Sequence, residues 1–242
     1  MRPSSLFRRS SAAGAFALAA AFSCLASPLL AQTKDDGEIW TALVLQGKLG
    51  AKDTPLERWR LWLDVHDRQR DEGARLETNI VRPGLGYALS DRVTVHAGYA
   101  AVWSDARRSD TQLEDRVWQQ VVWMIPVGEL TVQSRTRLEQ RFNETDADTG
   151  WRLRQMFKTT VPLSADKRTY VSAWDELFWD LNDTDWGQRA GFRQNRAFLG
   201  LGRFLDEGKH FGVEVGYLNQ WIDKPVEDRL NHCLSIWLFV NF

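Results

Sequence analysis

The sequence predicts an all-β fold: an antiparallel up-and-down transmembrane β-barrel of 10 or 12 strands, with a cleaved N-terminal signal peptide. Three observations predict it. Period-two alternation recurs in segments of about ten to thirteen residues, the length a tilted strand needs to cross a bilayer. The connectors alternate between tight turns and long polar loops. The last segment alternates up to a terminal aromatic residue, Phe242.

Composition removes the main competing classes. A chain of 242 residues with 43% hydrophobic and 12% aromatic content is too apolar to be disordered. A net charge of -1 argues against a nucleic-acid partner, which calls for a strongly basic domain or stripe. The mean hydropathy of -0.40 and the lack of a long apolar run after residue 31 exclude a helical membrane protein. A β-barrel survives this test because its strands dilute their apolarity by alternation.

The N-terminus reads as an export signal over residues 1–31. Arg2, Arg8 and Arg9 precede the apolar run Ala12 to Ala26, and Pro28-Leu29-Leu30-Ala31 offers a cleavage site before Gln32. A lipoprotein signal around Cys24 fits less well, because Phe22 and Ala21 stand before the cysteine. Cleavage leaves 28 basic against 32 acidic residues, a net charge of -4, and a single cysteine, Cys233. No internal disulfide then staples residues 32–242, which form one barrel domain held by hydrogen bonds and packing.

Eleven alternating segments follow: 38–49, 57–68, 74–89, 92–103, 113–125, 129–142, 151–162, 169–180, 189–205, 210–222 and 230–242. In 57–68 the apolar side is Trp59, Leu61, Leu63 and Val65, with Arg58, Arg60, Asp64 and His66 opposite. In 129–142 Leu130, Val132, Leu138 and Phe142 oppose Gln133, Arg135, Arg137, Glu139 and Arg141. A soluble sandwich turns charge outward; a barrel in lipid turns it inward. Ser90-Asp91, Pro126-Val127-Gly128 and 206–209 read as tight turns, and 104–112, 143–150, 181–188 and 223–229 as polar loops. An odd count conflicts with the even number of strands in bacterial single-chain barrels. The two weakest segments are 38–49 and 74–89, the latter interrupted by Pro83 and Gly84, so ten or twelve strands are expected.

The final segment places Leu234, Ile236, Leu238, Val240 and Phe242 on one face. Leu238, Val240 and Phe242 are the expected assembly signal, read by the barrel-assembly machinery during insertion into outer-membrane lipid. Trp40, Tyr99, Trp103, Trp123, Trp179, Tyr217 and Trp221 are candidates for interfacial aromatic girdles.

An ordered set of short stretches carries a family resemblance: residues 82–87 (Arg-Pro-Gly-Leu-Gly-Tyr), Gly98-Tyr99, 114–120, 135–141, 152–154 and Asn195-Arg196. Together they resemble the domain of unknown function 2490 family, taken to be bacterial outer-membrane β-barrels, over nearly the whole chain from Trp40 to Phe242. The resemblance implies location and architecture; the family brings no established activity or catalytic residues to carry over, and no cofactor is assigned.

Granting a barrel, parity gathers a charged interior: Glu114, Arg116, Arg135, Arg137, Glu139, Arg141, Arg152, Arg154, Glu176, Arg196 and Glu214. A structural network filling the lumen is favoured over a basic constriction that passes small anionic solutes, because ten or twelve strands enclose a narrow bore. Two alternatives stay open: a barrel enzyme acting on envelope lipids, and a soluble periplasmic barrel binding an apolar ligand. The histidines, His66, His96, His210 and His232, show no serine-hydrolase pattern around them, so no catalytic residue is assigned. Asp146, Asp148, Asp183 and Asp185 read as solvated loop acids, and His232 and Cys233 face opposite sides of a strand, so no metal site is assigned.

Overall fold

The computed structural model describes residues 33–70, 75–105, 111–128, 130–144 and 146–242. The export signal expected over residues 1–31, and part of the 104–112 loop, lie outside the described residues. The described chain forms eleven strands: β1 (Thr33–Lys48), β2 (Trp59–Arg70), β3 (Arg75–Ala88), β4 (Val93–Asp105), β5 (Thr111–Val127), β6 (Leu130–Asn143), β7 (Gly150–Pro162), β8 (Thr169–Asp180), β9 (Gly191–Phe204), β10 (Phe211–Ile222) and β11 (Asp228–Asn241). They close into one barrel in sequence order.

The expectation of 10 or 12 strands is corrected to eleven, and the reason lies in the closure. Sequential strands pair antiparallel, whereas β1 and β11 pair parallel, from Thr33 opposite Asp228 to Gln46 opposite Asn241. An even count is required only when the closing pair is antiparallel; a parallel seam accepts an odd one. Phe242 extends the seam, donating its N–H to the Gln46 carbonyl and accepting from the Lys48 N–H at 2.9 Å. The start of β1 and the end of β11 therefore sit at opposite rims.

Both segments that looked weakest form strands. β3 runs unbroken through Pro83, which pairs with Leu63 of β2 but not with β4, while Val81–Ala101 and Gly84–Gly98 hold the register on either side. Proline has no N–H to give a ladder, so the gap falls on the side that lacks the donor. Gly84 and Gly98 give Trp118 of β5 its place: a Cβ on either would stand 2.5–2.6 Å from the indole ring. Trp118 is fully buried there and donates its Nε1–H to the Tyr99 carbonyl at 3.1 Å.

The rims differ less cleanly than the connectors suggested. Tight connections at 89–92, 128–129 and 205–210 share one rim with Phe242, and Gly128 takes the positive φ of 61° that its turn demands. The ten-residue connection 49–58 lies on that same rim. The opposite rim carries the ten-residue 181–190 segment.

Alternation sorts the side chains as the pattern dictates. Leu43, Leu85, Val117, Val121, Leu199, Leu201, Leu234 and Leu238 are exposed on the outer face, while the residues between them are mostly buried. Trp40 is corrected from a girdle position to an interior one, only 5% exposed and packed with Phe198, Leu218 and Cys233. Both faces of β1 are apolar, so polarity alone does not choose its parity.

Candidate functional site: a charged barrel interior

Side chains from strands that do not adjoin one another meet inside the barrel. Lys158 of β7 donates to both Glu214 carboxylate oxygens of β10 at 2.8 and 3.0 Å. The Arg137 guanidinium of β6 lies 5.8 Å from the ring centroid of Trp62 on β2. Only inward-pointing residues can make such contacts.

The centre is an ion-pair chain on β5 to β8. Arg141 grips Glu114 through two hydrogen bonds of 2.7 and 2.8 Å, and Arg116 donates to the same carboxylate at 2.6 Å. Arg116 also reaches the fully buried Glu139 at 3.7 Å. Arg154 donates to Glu139 at 2.7 Å and clasps both oxygens of Glu176 at 3.0 Å, and Arg135 joins Glu176 at 2.8 Å. Paired guanidinium and carboxylate planes of this kind make strong, orientation-specific bonds. Arg137 stands beside the chain, donating twice to the Gln120 side-chain oxygen at 2.9 and 2.6 Å, with Trp118 below it at 4.7 Å.

Eight of the parity-selected residues thus form one cluster: Glu114, Arg116, Arg135, Arg137, Glu139, Arg141, Arg154 and Glu176. The remaining three point inward but lie apart. Arg152 pairs with Asp180 at 2.7 Å. Glu214 binds Lys158, the Tyr170 hydroxyl and the Ser172 hydroxyl. Arg196 contacts Trp40 and Phe178, and donates to Gln194 when that amide turns its oxygen toward the guanidinium. Leu238 and Phe242 are exposed on the outer face of the β11 end, with Val240 half-buried between them.

Parity alone did not reveal a second set around Asp64. This carboxylate accepts from Arg82 at 3.1 Å and from the Trp62 indole at 2.7 Å, and His66 lies 3.2 Å away. The alternation of β2 placed Asp64 and His66 on the charged side, but their partner Arg82 sits on β3 in a stretch broken up by Pro83. Near the seam, Arg229 binds Asp36 and Glu38 at 3.1 and 2.8 Å. Beside the Arg154–Glu176 pair lies a cavity of about 120 Å³, bordered by Trp40, Trp62, Arg68, Arg196, Trp174 and Trp237 among others.

The family described as "Protein of unknown function (DUF2490)" matches residues 37–231, from the first half of β1 into β11. The chain belongs to that family. An uncharacterized protein of Methylorubrum extorquens (strain AM1) is similar to this DUF2490 chain, 38% identical over 218 residues that cover 88% of the chain and 90% of the relative. Both matches take in every strand that supplies the ion-pair chain.

In this DUF2490 barrel, among the described residues, no group of three or more His, Cys, Asp or Glu is arranged to hold a metal ion. His66 is engaged with Asp64, and His96 with Gln120 at 3.4 Å. His232 lies on the outer face, its Nδ1 2.5 Å from the Tyr217 hydroxyl, whereas the neighbouring Cys233 is buried inside. What the interior can do chemically is hold charge in fixed positions and offer guanidinium groups to an anion.

Proposed function

We propose that this DUF2490 chain is an outer-membrane β-barrel of the bacterial envelope, exported by residues 1–31 and closed inside by its own ion-pair chain. The observation that carries the reading is inverted polarity. Apolar side chains such as Leu43, Leu85, Leu199 and Leu201 are exposed outside, while Arg137, Glu139, Arg154 and Glu176 are buried inside. That is the arrangement of a barrel solvated by hydrocarbon, and the reverse of a soluble one.

The aromatic residues support the same reading. Trp59, Trp123, Phe211 and Phe242 are exposed toward one rim, and Trp103, Trp151 and Phe192 toward the other. Two such belts suit the two interfaces of a bilayer. Leu234, Leu238 and Phe242, exposed in line on the last strand, are then the surface offered to the barrel-assembly machinery. The interior serves as a structural fill: Arg137 and Glu139 are fully enclosed by their neighbours.

Fractionation of the cell envelope tests this reading. The protein is expected in the outer-membrane fraction, resistant to carbonate extraction, released by detergent, and migrating faster on a gel before boiling than after. Release into the soluble periplasmic fraction without detergent would contradict it.

A further inference from the structure

Around one cavity of the interior, basic side chains outnumber carboxylates. The 120 Å³ cavity is bordered by six arginine and lysine side chains against three carboxylates, Asp64, Glu176 and Glu214. All three are already engaged: Asp64 by Arg82, Glu176 by Arg135 and Arg154, and Glu214 by Lys158. Arg68 and Arg196 are left over. Among the described residues neither has a carboxylate at ion-pairing distance, and the buried Arg68 Nε has no hydrogen-bond partner.

Both guanidinium groups instead lie against one ring. Arg68 is 4.1 Å and Arg196 4.9 Å from the centroid of Trp40. A ring face attracts a cation but does not neutralise it. Arg196 is only 8% exposed, so water gives it little screening. Uncompensated charge at such a depth is costly to keep, which is a reason to expect a counter-charge delivered from outside the chain.

The rest of the wall narrows the class of that counter-charge. Trp62, Trp174, Trp237 and Phe239 also line the same space. The volume approaches the roughly 150 Å³ of an apolar protein cavity that accepts benzene. A hydrated inorganic ion would use the guanidinium groups and waste the rings.

We propose that this cavity binds a small planar organic anion, a carboxylate carried on a ring or short unsaturated body. The carboxylate lies in the field of Arg68 and Arg196, and the flat body rests against the tryptophan walls. The ligand balances the basic side chains that outnumber carboxylates around the cavity.

Benzoate titrated into the full-length protein, folded in detergent, is the test, with tryptophan emission as the readout. A saturable emission change is expected, with affinity weakened at least tenfold in both Arg68→Gln and Arg196→Gln. Benzamide, the same shape without the charge, is expected to bind at least tenfold more weakly to the unaltered protein, a comparison that needs no variant to fold. No saturable response to benzoate would overturn the proposal, as would equal binding of benzamide. Inorganic phosphate binding as tightly as benzoate would also overturn it, because the rings would then contribute nothing.

Discussion

Arg137 on β6 and Trp62 on β2, four strands apart in the barrel wall, approach to 5.8 Å between guanidinium carbon and ring centroid. The contact bridges the barrel at mid-height. Arg137 and its neighbour Glu139 are both fully buried there.

Glu139 is the acceptor that holds this centre together. Its carboxylate lies within 3.9 Å of Arg116, Arg137 and Arg154. Glu139→Ala leaves buried cations uncompensated and is expected to destabilise the barrel by about 3–5 kcal/mol. Urea unfolding of the protein in detergent micelles, followed by the heat-dependent gel shift, measures the loss. An unchanged midpoint would show that the network does not hold the fold.

On the outer face, Asn195 donates to both carboxylate oxygens of Asp175 at 3.1 and 3.0 Å. On the proposed lipid-facing surface an unpaired carboxylate would have nothing to turn to, and the amide supplies its partner. Asn195→Ala is expected to cost about 1–3 kcal/mol. Adding Asp175→Ala should restore most of the loss, and a double-mutant cycle in lipid vesicles reads the difference.

Gly98 is a packing position. A Cβ there would meet the Pro83 carbonyl oxygen at 2.2 Å and the Trp118 ring at 2.6 Å, and the first of these is backbone that cannot swing away. Gly98→Val is expected to destabilise by about 1–3 kcal/mol or more through overpacking. Trp118 emission should shift to the red as its ring is pushed out of its enclosed site.

At the 205–210 turn, Asp206 accepts hydrogen bonds from the backbone N–H of Phe211 at 2.8 Å and of His210 at 3.1 Å. These bonds, led by that of Phe211, lower its pKa from 3.8 to about 2. A carboxylate with a depressed folded pKa adds stability that is full above the unfolded value and disappears as pH falls through the folded one. The stability difference between the unaltered protein and Asp206→Asn should therefore shrink between about pH 4 and pH 2, and stay small below. Unfolding midpoints taken across that range check it.

Much of this architecture was readable from alternation, because a barrel strand must turn every second residue inward. All eleven alternating segments correspond to strands, including 74–89, where Pro83 suggested a break. The strand number was misjudged because the direction of the closing pair is a tertiary fact with no local signature. Trp40 was placed on the wrong face because Ile39, Leu43 and Leu45 oppose Ala42 and Val44, so β1 is apolar on both sides.

The site was legible to the same depth. Parity grouped the charges by alternation alone, whereas their partners depend on register. Arg154 stands opposite Arg137 in the ladder, yet bonds Glu139 and Glu176. Arg152 and Glu214 found partners outside the expected group: Asp180, directly opposite Arg152 on β8, and Lys158, which reaches Glu214 across the interior from β7.

Single-channel recording from the purified protein in planar bilayers, at two salt concentrations, tests whether the ion-pair chain closes the barrel. The unaltered protein is expected to insert without discrete conductance steps at either concentration. Steady steps with anion preference, altered in Arg135→Ala or Arg137→Ala, would contradict a closed interior and make the arginine wall a filter.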